Sequence, residues 1–253
     1  MKARHALELS ETQGLDPLLA YHEWRLVPNG GPATKLVLDN IHYKNAISAA
    51  KELLGLADGG GSHPKLDVLE SVATTFIAEH PASRFIVFTK YRASIASIVG
   101  RLQVVPGVVP ARFVGQETKS PVDQGINRDE QQETLSRFKA GEFNALVATQ
   151  AAEEGLDVPD CDLVVCYEAT GSVIQSIQRQ GRTGRKRAGE VVVLIANGPI
   201  DQANVMTLDR KLARLPEVYQ HVRRFMSGRS AAANNTPAHT VIRDSRTREN
   251  SLP

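Results

Sequence analysis

The sequence predicts an α/β fold: a parallel sheet with helices on both faces. Three observations carry this. Short, nearly continuous apolar runs rich in β-branched residues recur along the chain, amphipathic helical patterns separate them, and capping residues mark where helices begin.

Taken in order, residues 3 to 55 read as short helices. Ile47, Ala50 and Leu54 fall at helical spacing, Gly14 and Gly55 are stops, and Asp16-Pro17 reads as an N-cap followed by a first-turn proline. Asn29-Gly30-Gly31-Pro32 reads as a loop, and residues 58 to 62 as a flexible joint. Beyond the joint the character changes. Leu66, Leu69, Val72 and Phe76 share one helix face, and Phe85–Thr89 reads as a buried strand. Ile95, Ile98 and Leu102 form another helix face. Asn127 with Glu130 forms a capping-box pattern that turns Leu135 and Phe138 inward. Further buried strands are expected at 145–148, 163–167 and 191–195. The expected division is an N-terminal helical segment (1–57), an α/β domain (63–199), a helical segment (200–226) and a tail (227–253). The tail is poor in large apolar residues and is expected to be disordered.

With 42% hydrophobic and 23% charged residues, the chain has the composition of a globular domain plus a smaller appendage. No apolar run has the length needed to cross a bilayer, and Met1-Lys2-Ala3-Arg4-His5 leads into no signal-like core. An intracellular protein with no membrane partner is expected. Cys161 and Cys166 lack companions for a zinc site and read as core residues. A net charge of +2 neither demands nor excludes nucleic acid, because a local basic groove can be masked by acidic surface elsewhere.

The most informative segment is Gln178-Arg179-Gln180-Gly181-Arg182-Thr183-Gly184-Arg185. Three arginines spaced three apart, with glycines removing bulk between them, form a guanidinium array able to approach a polyphosphate. Such groups stabilise charge on a transferred γ-phosphoryl. Taken alone, the run would more readily be a solvated basic loop. Upstream, the strand ending at Thr149 passes through small residues into Glu154-Gly155-Leu156-Asp157. That places Thr149 at the carboxyl edge of the sheet, where ligands of open α/β folds bind and where its hydroxyl could reach a nucleic-acid phosphate. Asp157 could accept from a ribose hydroxyl or orient an arginine, although a turn-capping role is the simpler alternative.

These stretches, in this order, resemble superfamily 2 helicase motifs. Phe85 to Arg92 looks like motif IV, Thr149 to Pro159 like motif V, and Gln178 to Arg185 like motif VI. Arg4-His5-Ala6-Leu7-Glu8-Leu9 with Glu11-Thr12-Gln13-Gly14 is similar to the helical insert of Hef/FANCM-type DNA helicases, and Gly115-Gln116 before the helix at Asn127 fits the same branch. The resemblance covers residues 2 to 197. It implies a RecA-like C-terminal helicase lobe in which Arg182 and Arg185 are arginine fingers. Gln178, Asp157, Gly155 and Gly181 would lie beside the nucleotide, and Thr149, Thr89, Lys90, Arg92 and Gln116 along the nucleic-acid track. For Lys90 and Arg92 the plain alternative is a pair of solvated charges opening a helix. The implied cofactor is ATP with Mg2+, and the implied partner is branched or forked DNA in repair. The compartment would be the nucleus of a eukaryote, or the nucleoid of a prokaryote.

The phosphate-cradling G-x-x-x-x-G-K-[ST] loop and the acidic pair that holds magnesium are not in this sequence. Gly115-Gln116-Glu117-Thr118-Lys119-Ser120 has the Lys-Ser pair at the wrong spacing. A separate first lobe is therefore an implied partner, the chain is expected to be a fragment or half of a split gene, and alone it is expected to be inactive. No nuclease centre is expected in 200–253. Two other readings stay open: a lobe of a RIG-I/Dicer-like duplex-RNA helicase, and a non-catalytic module that binds nucleic acid through its backbone.

Overall fold

The computed structural model describes residues 1–55, 61–117, 125–149, 161–168, 190–207, 210 and 240–244. The N-terminal segment is helical as expected: α1 (Lys2–Thr12), α2 (Leu15–Tyr21), a π-helical turn at His22–Leu26, α3 (Pro32–Asp39) and α4 (Ile41–Leu54). Asn40 caps α4, its side chain accepting from the backbone of His42 and Tyr43. One cap differs from expectation. Helix α2 begins at Leu15 with Gly14 as its N-cap, so Asp16 lies inside the first turn, where its charge suits the positive end of the helix dipole.

The α/β unit follows with α5 (Pro64–Glu79), β1 (Phe85–Thr89), a 3-10 turn (Arg92–Ser94), α6 (Ile95–Gln103), β2 (Pro110–Phe113), α7 (Arg128–Ala140), β3 (Ala145–Thr149), β4 (Leu163–Cys166) and β5 (Glu190–Ile195). Residues 199–207 form the next helix, here α8. All five strands are parallel, in the order β2-β3-β1-β4-β5. Strand β2 escapes the sequence patterns because Pro-Ala-Arg-Phe is short, begins with a residue lacking an N–H, and alternates in burial. The capping box of α7 is present, with Asn127 and Glu130 bonding each other's backbone N–H.

Within the stretch expected to be a disordered tail, residues 240–244 are described, and the remainder of 227–253 lies outside the described residues. The backbone of β6 (Thr240–Asp244) pairs in parallel with β5 and extends the sheet. Its Thr-Val-Ile run is the kind of β-branched stretch that favours a strand, and the polar composition around it hid that signal.

Alternation along the strands divides the core. Phe85 and Val87 of β1, Val147 of β3 and Val165 of β4 face α5 and α6, where Leu69, Ala73, Ile98 and Leu102 meet them. Ile86 and Phe88, Leu146 and Val164 face the opposite way, against Leu135 and Phe138 of α7. The N-terminal helices have their own smaller core of Ala6, Leu9, Leu18, Ile47 and Ala50.

Polar bonds join the two. Lys65 is fully buried and its ammonium pairs with Asp201 of α8 at 2.5 Å while donating to the Thr12 carbonyl at 3.3 Å. Ser94 donates to the Gln13 side chain at 2.6 Å, and the Ile200 N–H at the start of α8 donates to Glu11 at 2.6 Å. His63 caps α5 by accepting from Lys65 N–H at its Nδ1, which fixes the proton on Nε2, 3.0 Å from the Glu11 carbonyl. Gly14 adopts a φ of 105°, and a Cβ there would lie 2.9 Å from the His63 Cβ, so glycine is required both for the turn and for the approach. The Thr12-Gln13-Gly14 run noted in the sequence is thus the clasp between the helical segment and the lobe.

Candidate nucleic-acid interface

Because every strand of the sheet runs the same way, the residues that follow their carboxyl ends come together along one edge. Thr89 and Thr149 are register partners at the ends of β1 and β3. Tyr167 and Glu168 follow β4 beside them, and Gln116 lies three residues past β2. The chain enters residues 150–160 directly from Thr149, and residues 169–189 directly from Glu168. Asp157, Gly155, Gln178, Gly181, Arg182 and Arg185 fall in those stretches and lie outside the described residues.

The turn after β1 is held from beneath by Glu168, a residue the sequence reading did not single out. Its carboxylate is buried and accepts from the Thr89 hydroxyl at 2.6 Å and from the Lys90 N–H at 2.9 Å. The Tyr91 N–H in turn donates to the Thr89 oxygen at 3.2 Å. Thr89 was expected to line the nucleic-acid track, but its side chain is fully buried and its proton is given to a carboxylate. A hydroxyl has one proton, and in this arrangement Thr89 gives it to Glu168 within the turn. The missed signal was an acid placed immediately beyond an apolar strand, at the edge where ligands gather.

Lys90 does project from this edge, with a side chain 55% exposed. Its ammonium donates to Glu8 of α1 at 2.9 Å and to the Tyr91 hydroxyl at 2.9 Å, and the Tyr91 hydroxyl donates to the same Glu8 oxygen at 2.5 Å. Burial pushes the Glu8 carboxyl up, but the hydrogen bonds from Tyr91 and Lys90 outweigh it and hold the group below its ordinary value. Burial, and then acceptance by Glu8, push the Tyr91 phenol upward, so it remains a donor at neutral pH. Arg92 turns its guanidinium to the Glu117 carbonyl, which brings it beside the exposed Gln116. Thr149 is nearly buried at 5% exposure. The structure thus gathers Lys90, Arg92, Gln116 and Thr149 on one side of the sheet. Among the described residues, no cluster of His, Cys, Asp and Glu is placed to hold a metal ion, and no helix is long and apolar enough to span a membrane.

This arrangement is that of the RecA-like C-terminal lobe of helicases, and the chain matches it by sequence: residues 65–187 match the helicase conserved C-terminal domain. An ATP-dependent DNA helicase of Neurospora crassa, mph1, is 38% identical over 203 residues, which is 77% of this chain and 17% of the relative. An Arabidopsis thaliana protein named as a DEAD-box ATP-dependent RNA helicase, FANCM, is 36% identical over 77% of this chain and 14% of its own length. The crystal structure of the Pyrococcus furiosus Hef helicase domain superposes with a TM-score of 0.59 at 41% identity, covering 81% of this chain and 41% of that one. The chain belongs to the Hef/FANCM-like branch of superfamily 2 helicases, as a C-terminal helicase lobe. It spans less than a fifth of the length of these two curated relatives.

Proposed function

We propose that this chain acts as the second motor lobe of an ATP-dependent DNA helicase or translocase that works on branched or forked DNA. The supporting observation is the convergence at the carboxyl edge. Lys90, Arg92, Gln116 and Thr149 share it, and the two stretches that carry Asp157 and the Gln178-to-Arg185 array continue from it.

In this reading the lobe does two things. It holds the nucleic-acid backbone through Lys90, Arg92, Gln116 and Thr149, and it presents Arg182 and Arg185 to the γ-phosphate of ATP bound with Mg2+ against a separate first lobe. Gln178, Gly181, Gly155 and Asp157 line the lobe's side of that cleft. Guanidinium groups placed there stabilise charge as it shifts onto the departing phosphate oxygens, and closure excludes water around them. Reopening changes the grip on the backbone, so alternating closure becomes stepwise movement. Half an ATP site hydrolyses essentially nothing, so the isolated chain is expected to bind DNA without turnover.

The test supplies a Hef-type first lobe in trans or by fusion and measures DNA-stimulated ATP hydrolysis. Arg185→Ala is expected to lower turnover by about a thousandfold while DNA affinity stays within twofold. Retained turnover would remove the finger assignment. The Arabidopsis relative, described as an RNA helicase, favours a second reading, an RNA substrate. Competition between forked DNA and duplex RNA for the isolated lobe decides between them.

A further inference from the structure

Glu8 stands out because its carboxylate occupies the ammonium of Lys90, the cation that the proposed track would offer to a backbone phosphate. It belongs to α1 of the helical segment, yet it reaches the first exposed cation beyond β1. A carboxylate oxygen at 2.9 Å from Lys90 Nζ, and bonded to the Tyr91 hydroxyl, reproduces what one phosphate oxygen would do there. The Lys90 ammonium spends two of its protons on Glu8 and Tyr91, and its side chain remains more than half exposed. Glu168 fixes the backbone beneath, so the ammonium is offered from a rigid turn.

We propose that Glu8 is an intramolecular counter-ion that competes with the nucleic-acid backbone for Lys90 and so sets how tightly this lobe grips. The inference rests on the reading that Lys90 meets a phosphate. An ion pair this exposed is weak, so a backbone phosphate, one of several contacted at once, can displace it. Displacement frees one of the bonds by which α1 holds the lobe, which ties backbone occupancy to the seating of the helical segment. Glu8 is therefore an affinity-determining residue that touches neither nucleotide nor DNA.

The experiment measures binding of the whole chain to a fluorescent forked DNA by anisotropy, for the wild type, Glu8→Gln, Lys90→Ala and the double variant. Glu8→Gln keeps size and hydrogen bonding and removes the charge. It is expected to tighten binding by about two- to fivefold, the worth of an exposed pair. Lys90→Ala is expected to weaken binding, and Glu8→Gln on that background is expected to change nothing further. Tightening that persists without Lys90 would be general repulsion between Glu8 and DNA and would overturn the inference, as would unchanged or weaker binding by Glu8→Gln alone. If Lys90→Ala binds like the wild type, the track itself is misplaced, and the inference falls with it. Glu8→Asp, which shortens the reach but keeps the charge, checks for folding defects. Its affinity should fall between those of the wild type and Glu8→Gln, and an affinity at or below the wild type would also overturn the competition.

Discussion

The sheet and the N-terminal helices are held by different forces. In β1 every residue from Phe85 to Thr89 is buried, and its neighbours on both sides lie in parallel register. Dispersion and the removal of apolar area from water dominate there, at about 1.5–3 kcal/mol for each fully buried large side chain. The helical segment meets the lobe through an apolar contact, Tyr91 against the small N-terminal core, and through polar bonds of Lys65, His63, Gln13, Glu11 and Glu8. Apolar packing is indifferent to pH and salt over ordinary ranges, whereas charged and hydrogen-bonded contacts are not. The sheet can therefore serve as a fixed frame while the attachment of the helices responds to solution conditions and to ligands.

Substitutions should grade along that contrast. The largest loss is expected from Phe88→Ala, which empties a space between β1 and α7 and costs about 3–5 kcal/mol, read as a lower midpoint in urea unfolding. A stable protein with an unchanged midpoint would show that this face is not the frame. Asp201→Ala should cost nearly as much, about 3–5 kcal/mol, because it strands the Lys65 ammonium with no exposure to water. The paired change Lys65→Met with Asp201→Leu should recover most of that loss. Any shortfall measures the bonds lost to the Ala196 N–H and the Thr12 carbonyl, which Asp201 and Lys65 also satisfy.

A smaller effect is expected at His63. Burial is the main cause that holds its imidazole below the ordinary value, and the nearby Lys65 adds to it. A base whose folded value is depressed binds its proton more readily when unfolded, so stability is complete above about pH 6.5 and declines as pH falls towards the folded value. Protonation would also set an Nδ1 proton against the Lys65 N–H. Thermal melting between pH 7.5 and 5 should show this decline, and His63→Asn, which keeps a capping oxygen, should flatten it. The smallest change is expected from Lys51→Ala. Its pair with Glu23 joins two half-exposed side chains and is worth less than about 1 kcal/mol.

Much of the sheet could be read from sequence because buried parallel strands are written as continuous apolar runs. Phe85–Thr89, and the cores of β3, β4 and β5, announce themselves this way, and Asn127 with Glu130 announces α7. Strand β2 and the Thr240–Asp244 strand do not, because the first is too short and mixed and the second lies in polar company. At the candidate site, a motif can single out a residue, whereas a contact with a distant partner cannot be read locally. Lys90 and Arg92 could be singled out locally. That Thr89 is spent on Glu168, 79 positions away, and that Glu8 answers Lys90 from 82 positions away, follows only from the way the sheet and helices bring them together.

The outer strand β2 has a consequence for how copies of this chain behave together. It is four residues long, starts with a proline that cannot donate, and carries the exposed Arg112. A sheet margin of that kind is a poor template for strand-by-strand growth, because an incoming chain would find few donors to pair with and a charge in its way. Cross-β growth from this margin of the sheet is thus disfavoured.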